Sequence, residues 1–95
     1  MTKNVSIAGQ KISVELTSHF LRRITERNIK PELLSLDNNI IHNILNSEYK
    51  KTIIKNLLHN IAIVIKKDSP VKIAFVTCFT GLECNSDNAN VITLH

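Results

Sequence analysis

Residues 61–79 read Ile61-Ala62-Ile63-Val64-Ile65, Lys66-Lys67-Asp68-Ser69-Pro70, then Val71-Lys72-Ile73-Ala74-Phe75-Val76-Thr77-Cys78-Phe79. The two outer runs are rich in β-branched and aromatic side chains, which pack well on a pleated surface and lose rotamer freedom in a helix. The segment between them is polar and contains a proline. The stretch therefore predicts a hairpin with its turn around residues 66–70.

Upstream of the hairpin the pattern changes. Residues 48–60 fit two descriptions: Tyr49, Ile53, Ile54, Leu57 and Leu58 follow helical spacing, while residues 52–54 equally suit a short strand. Before them, Pro31 with Glu32 in the first turn opens a helix that runs to about Asn46. Its apolar stripe is Leu33, Leu34, Leu36, Ile40, Ile41, Ile44 and Leu45, with Asp37 placed to act as a fresh cap. An earlier helix starts at Thr17 or Ser18, sets Phe20, Leu21 and Ile24 on one side, and ends at Asn28, a residue that tolerates the left-handed conformation. Residues 5–15 read as an extended arm, a hairpin or a single edge strand, from the alternation of Val5, Ile7, Ile12, Val14 and Leu16 around Gly9-Gln10. Downstream, Gly81 leads into a polar loop over residues 83–90, and Val91-Ile92-Thr93-Leu94 suits a last edge strand. The expectation is one α+β domain over residues 1–95: an N-terminal strand or arm and two or three helices packed on a small antiparallel β-sheet.

The chain has 95 residues, of which 43% are hydrophobic, enough for one packed core and against wholesale disorder. Its formal charge is +4, from 12 Lys+Arg and 8 Asp+Glu, a moderately basic balance that favours a polyanionic partner. Two cysteines, Cys78 and Cys84, form neither a zinc signature nor a disulfide framework. There is no charged-then-apolar leader and no apolar run of membrane-spanning length, so a cytoplasmic, reduced protein without membrane association is expected.

The chemistry-bearing stretch is Ser18-His19-Phe20-Leu21-Arg22-Arg23-Ile24-Thr25-Glu26-Arg27-Asn28-Ile29. On a helix His19, Arg23 and Arg27 fall at i, i+4 and i+8, each about 6 Å above the last. Histidine titrates near neutrality, and arginine binds phosphate through bidentate hydrogen bonds that lysine cannot copy. Metal-independent cleavage of RNA needs a base, an acid and cations around the phosphate, and this stripe supplies the titratable group and the cations. On spacing alone, a solvated helix face with i, i+3 and i+4 ion pairs accounts for the same residues.

The order His-x3-Arg-x3-Arg, then a turn residue and Ile29, then a second helix, then a hairpin closing on an apolar-Thr-apolar-aromatic strand, resembles a family of small phage, plasmid and toxin proteins. That family is grouped with the barnase, EndoU, colicin and RelE-like ribonuclease toxins, and the resemblance covers roughly residues 12–80. It implies a RelE/barnase-like fold and a metal-independent endoribonuclease-like toxin or phage-encoded RNA-processing factor. His19 would be the general acid/base, Arg23 and Arg27 the phosphate-binding groups, and Thr77 a positioning residue. Asn28 stands where the family usually has glycine, and Phe79 where a tyrosine is more usual. The implied partners are RNA (tRNA, mRNA or ribosome) and an acidic antitoxin or immunity protein; no metal or cofactor is called for.

Around this core, Arg22, Lys66, Lys67 and Lys72 are candidates to guide a nucleic-acid backbone, although edge lysines also prevent sheet-to-sheet aggregation. Thr80 shares the end of the long strand with Thr77. His42 and His59 read as structural, His95 as terminal, and one tyrosine and three phenylalanines are too few for a base-stacking platform. The alternative function is a non-catalytic binding module, such as a phage host-takeover protein that binds nucleic acid or a host protein. A homodimer built on the apolar stripe between Leu33 and Leu58 is a third reading.

Overall fold

The computed structural model describes residues 1–30, 36–83 and 87–95. The elements run β1 (Thr2–Ile7), β2 (Gln10–Leu16), α1 (Ser18–Glu26), α2 (Asn38–Asn46), β3 (Lys51–Asn56), β4 (Ile61–Ser69), β5 (Lys72–Thr80) and β6 (Ala89–Leu94). All six strands join one sheet in the order β1-β2-β5-β4-β3-β6.

This overturns the expected layout of two or three helices on a small antiparallel sheet. Strand makes up 49% and helix 21% of the structure, so helix is the minor component. The sheet is also mixed: β1/β2, β3/β4 and β4/β5 are antiparallel, whereas β2/β5 and β3/β6 are parallel. The stretch from α1 through α2 is the crossover that a parallel β2-to-β3 arrangement requires. No third helix forms over residues 48–60; the segment gives β3 and a turn. Thr52, Ile53 and Ile54 are each fully buried in β3, which lies between β4 and β6. Tyr49, Leu57 and Leu58, which imitate helical spacing, lie outside the strand and are exposed.

The hairpin at residues 61–79 forms, with β4 extending through Ser69 into what reads as turn. β1 and β2 make a second hairpin, whose Ala8 and Gly9 both have positive φ (52° and 79°), as a tight two-residue turn demands. Asp37 caps α2 by accepting from the Ile40 amide at 2.8 Å. The expected helix start at Pro31 falls in residues 31–35, outside the described residues.

Both helices lie on one face of the sheet. There Ile12, Val14, Ile54, Ile61, Ile63, Ile65, Ile73, Phe75 and Cys78 meet Phe20 and Ile29 from the α1 segment and Ile41 and Ile44 from α2. Phe20 is fully buried and packs edge-on against Phe75, ring centroids 5.2 Å apart. A bulge in β5 shapes this face: Val64 pairs with Thr77 and Ile65 with Phe75, leaving Val76 as an extra residue. The bulge lets Phe75 and Cys78, three apart, point to the same side. Thr17, which caps α1, donates from Oγ1 to the Phe75 carbonyl (2.8 Å) and the Val76 carbonyl (3.3 Å), docking the helix start on the bulge.

Candidate nucleic-acid interface

α1 is anchored at both ends by interactions that leave its charged side chains outside. At the start, Thr17 Oγ1 accepts from the Phe20 amide at 3.2 Å. At the end, the Asn28 amide bonds the Thr25 carbonyl (3.2 Å) and the Ile29 amide bonds the Ile24 carbonyl (2.9 Å). With Asn28 at φ 52°, this is a Schellman termination, completed by the apolar pair Ile24 and Ile29 at the core. Backbone amides therefore satisfy the Ile24 and Thr25 carbonyls at the end of α1 without help from a side chain.

His19, Arg23 and Arg27 do form a stripe, but they do not share one site. Arg23 Nε donates to His19 Nε2 at 3.5 Å, and Arg23 Nη1 is ion-paired with Glu26 Oε2 at 3.2 Å. The pair with Glu26 is half exposed, which limits it to a few tenths of a kcal/mol. His19 and Arg27 are eight residues apart, about 12 Å along the axis, too far for both to grip one small anion. Arg23 and Arg27 both lie within electrostatic reach of the Cys78 thiol. Burial pushes that thiol up from its ordinary value of 9.0, and Arg27, then Arg23, oppose the rise.

Thr77 is not part of this surface. It pairs with Val64, while its neighbour Cys78 faces the core opposite Ile63, so Thr77 points away from the helices. Strict alternation from Phe75 would have placed it beside α1; the extra residue Val76 reverses the side.

The lysines separate in the same way. Lys67 points to the helix side, where its Nζ donates to the carbonyls of Leu45 (3.2 Å) and Ser47 at the end of α2. It is a structural cap and not a free contact for nucleic acid. Lys66 pairs with Ala74 across the sheet, turns to the other face and meets Asp68 at 3.7 Å. Lys72 lies at the start of β5, next to Ser13 of β2. Among the described residues, Arg22 and Arg27 have no acidic partner.

One hollow escapes a reading of the sequence. A groove of about 290 Å³ opens at the C-terminal end of α1. Arg27, Asn28, Lys30, His59 and Thr80 line it, over a floor of Ile29 and Ile61. His59, expected to be structural, is an exposed residue of the β3–β4 turn, held by its amide to Asn56 Oδ1 at 3.1 Å. Recognising residues 57–60 as a turn would have been the only available signal. The other expected histidine, His42, is also exposed and bonds Asn46 at 2.8 Å. A wider hollow beside α2 is lined by four asparagines together with His42, Ser47, Glu48 and Tyr49, and Asn90 Nδ2 donates there to Asn43 Oδ1 (3.0 Å) and to Thr52 Oγ1 (3.4 Å).

No protein family, no curated protein and no solved structure matches this chain. Among the described residues, no helix is long and apolar enough to cross a membrane.

Proposed function

We propose that the protein is a non-catalytic RNA-binding module that holds the phosphate backbone with the arginines of α1. One observation carries the reading: the backbone terminates α1, and among the described residues Arg22 and Arg27 stand at the surface without an acidic partner, Glu26 engaging Arg23. Each such guanidinium that neutralises a phosphate releases counterions, which supplies affinity without sequence recognition. The +4 charge of the whole chain adds attraction at longer range. An acidic protein that mimics the backbone would compete for the same ridge.

The second reading is metal-independent RNA cleavage by an endoribonuclease-like toxin or phage RNA-processing factor. The His19–Arg23 contact favours it, since it sets an imidazole beside a cation. Cleavage needs an acid and a base flanking one phosphorus, and Thr77 and Arg27 are too far from His19 to complete that set. Binding is therefore the better supported of the two.

Fluorescence anisotropy with a labelled single-stranded RNA, followed by gel analysis of the same RNA, separates them. Salt-sensitive binding with intact RNA is the expected result. Binding with a cyclic-phosphate product that disappears in His19→Ala selects the enzyme, and no binding at low salt rejects both.

A further inference from the structure

We infer that the groove at the C-terminal end of α1 is a site for a phosphate monoester, carried by one end of an RNA strand. It deepens the RNA reading and rests on it for the identity of the carrier, though not for the chemistry of the groove.

Two separate parts of the chain bring basic side chains to this hollow. Arg27 at the helix cap and Lys30 just beyond Asn28 come from one, and His59 of the β3–β4 turn from the other. Among the described residues no acidic side chain lines the groove, and none pairs with Arg27 or Lys30. The Thr80 hydroxyl and the Asn28 side-chain carboxamide add hydrogen-bond donors at its wall. Ile29 and Ile61 beneath them are 8% and 3% exposed and give the groove an apolar floor, which screens charge interactions above it less than water would.

Charge decides between a chain-internal phosphate and a terminal one. A backbone diester carries a single negative charge, whereas a phosphate monoester carries about −1.5 to −2 near neutral pH. Two fixed cations and an imidazole match the second. The end of α1 opposes any anion with about half a negative charge from the helix dipole. Two full cations outweigh it, and the carbonyls there already hold amide partners. Service to the dipole would explain Arg27 and Lys30, but it gives no reason for His59 and Thr80 to close the other side of the hollow. Because Arg27 also ends the arginine ridge, a strand lying along α1 brings its terminus to the groove.

The test compares three oligoribonucleotides of one sequence, with a 5′-phosphate, with a 3′-phosphate, and with hydroxyls at both ends. In parallel, inorganic phosphate and adenosine monophosphate are titrated while the amide resonances of Asn28, Lys30, His59 and Thr80 are followed by NMR. One phosphorylated end is expected to bind about tenfold more tightly than the hydroxyl form, equivalent to about 1.4 kcal/mol. That preference disappears in His59→Gln and in Lys30→Gln, both at exposed positions, while Arg22→Gln weakens all three oligonucleotides alike. Equal binding of all three overturns the inference and leaves the ridge intact. If no RNA binds, the RNA reading fails; a shift of the groove amides by phosphate or the nucleotide then still supports a monoester site, and no shift overturns it.

Discussion

α1 and α2 have the same length, nine residues each, and lie on the same face of the sheet, yet they handle charge in opposite ways. α1 together with its C-cap residue Arg27 carries three arginines and a histidine, and the Thr25 and Ile24 carbonyls at its end are closed by the amides of Asn28 and Ile29. The surface of α2 is made of asparagine and histidine, and its end is closed by the ammonium of Lys67 reaching over from β4. The difference teaches that a basic residue is available to a ligand only where the backbone has no claim on it. Counting Lys67 with Arg22 as equivalent cations misses this distinction.

The largest effect falls on the anchor that α1 needs before any of its charges can be presented. Phe20→Ala removes a fully buried ring in contact with Phe75 and should cost about 3–5 kcal/mol, measured as the urea midpoint. Next comes the cap of α2. Lys67→Met should cost about 1.5–3 kcal/mol by leaving part-buried carbonyls without a charged donor, while RNA affinity stays unchanged. Unchanged stability with lost RNA binding would put Lys67 back among the ligand contacts. At the end of α1, Asn28→Ala should cost about 1 kcal/mol and Asn28→Gly nothing, because φ 52° is strained for alanine and free for glycine.

The smallest effect sharpens the link between α1 and the sheet. The Cys78 thiol is raised above 9.0 in the folded protein, so the folded state keeps a proton that the unfolded chain loses. Stability from this group is complete below pH 9 and falls as pH rises through the folded value. Urea midpoints at pH 8 and pH 10.5 should therefore drop more in wild type than in Cys78→Ala. Equal drops would mean that the thiol is not shielded by the fold.

Several of these features are legible in the sequence for local reasons. Asn28 as a left-handed helix end, Asp37 as a cap and the strands of the residue 61–79 hairpin all follow from neighbours within a few positions. The parallel pairings β2/β5 and β3/β6 do not, because they join segments more than thirty residues apart. The strand β3 was obscured by Tyr49, Leu57 and Leu58, apolar residues that the fold leaves exposed. In the site, the His19–Arg23 contact is local and readable. The separation of Thr77 depends on the Val76 bulge, and the role of His59 depends on where a turn meets the end of α1; neither leaves a local trace.

The central claim is that the arginines of α1, and not the lysines of the hairpin, meet the RNA backbone. The most direct measurement is the slope of log binding constant against log salt for wild type, for Arg22→Gln/Arg27→Gln, and for Lys66→Gln/Lys67→Gln. For single-stranded RNA each lost phosphate contact removes about 0.7 from the slope. The account predicts a fall of about 1.4 in the arginine variant and none in the lysine variant. A slope that survives the loss of both arginines would contradict it.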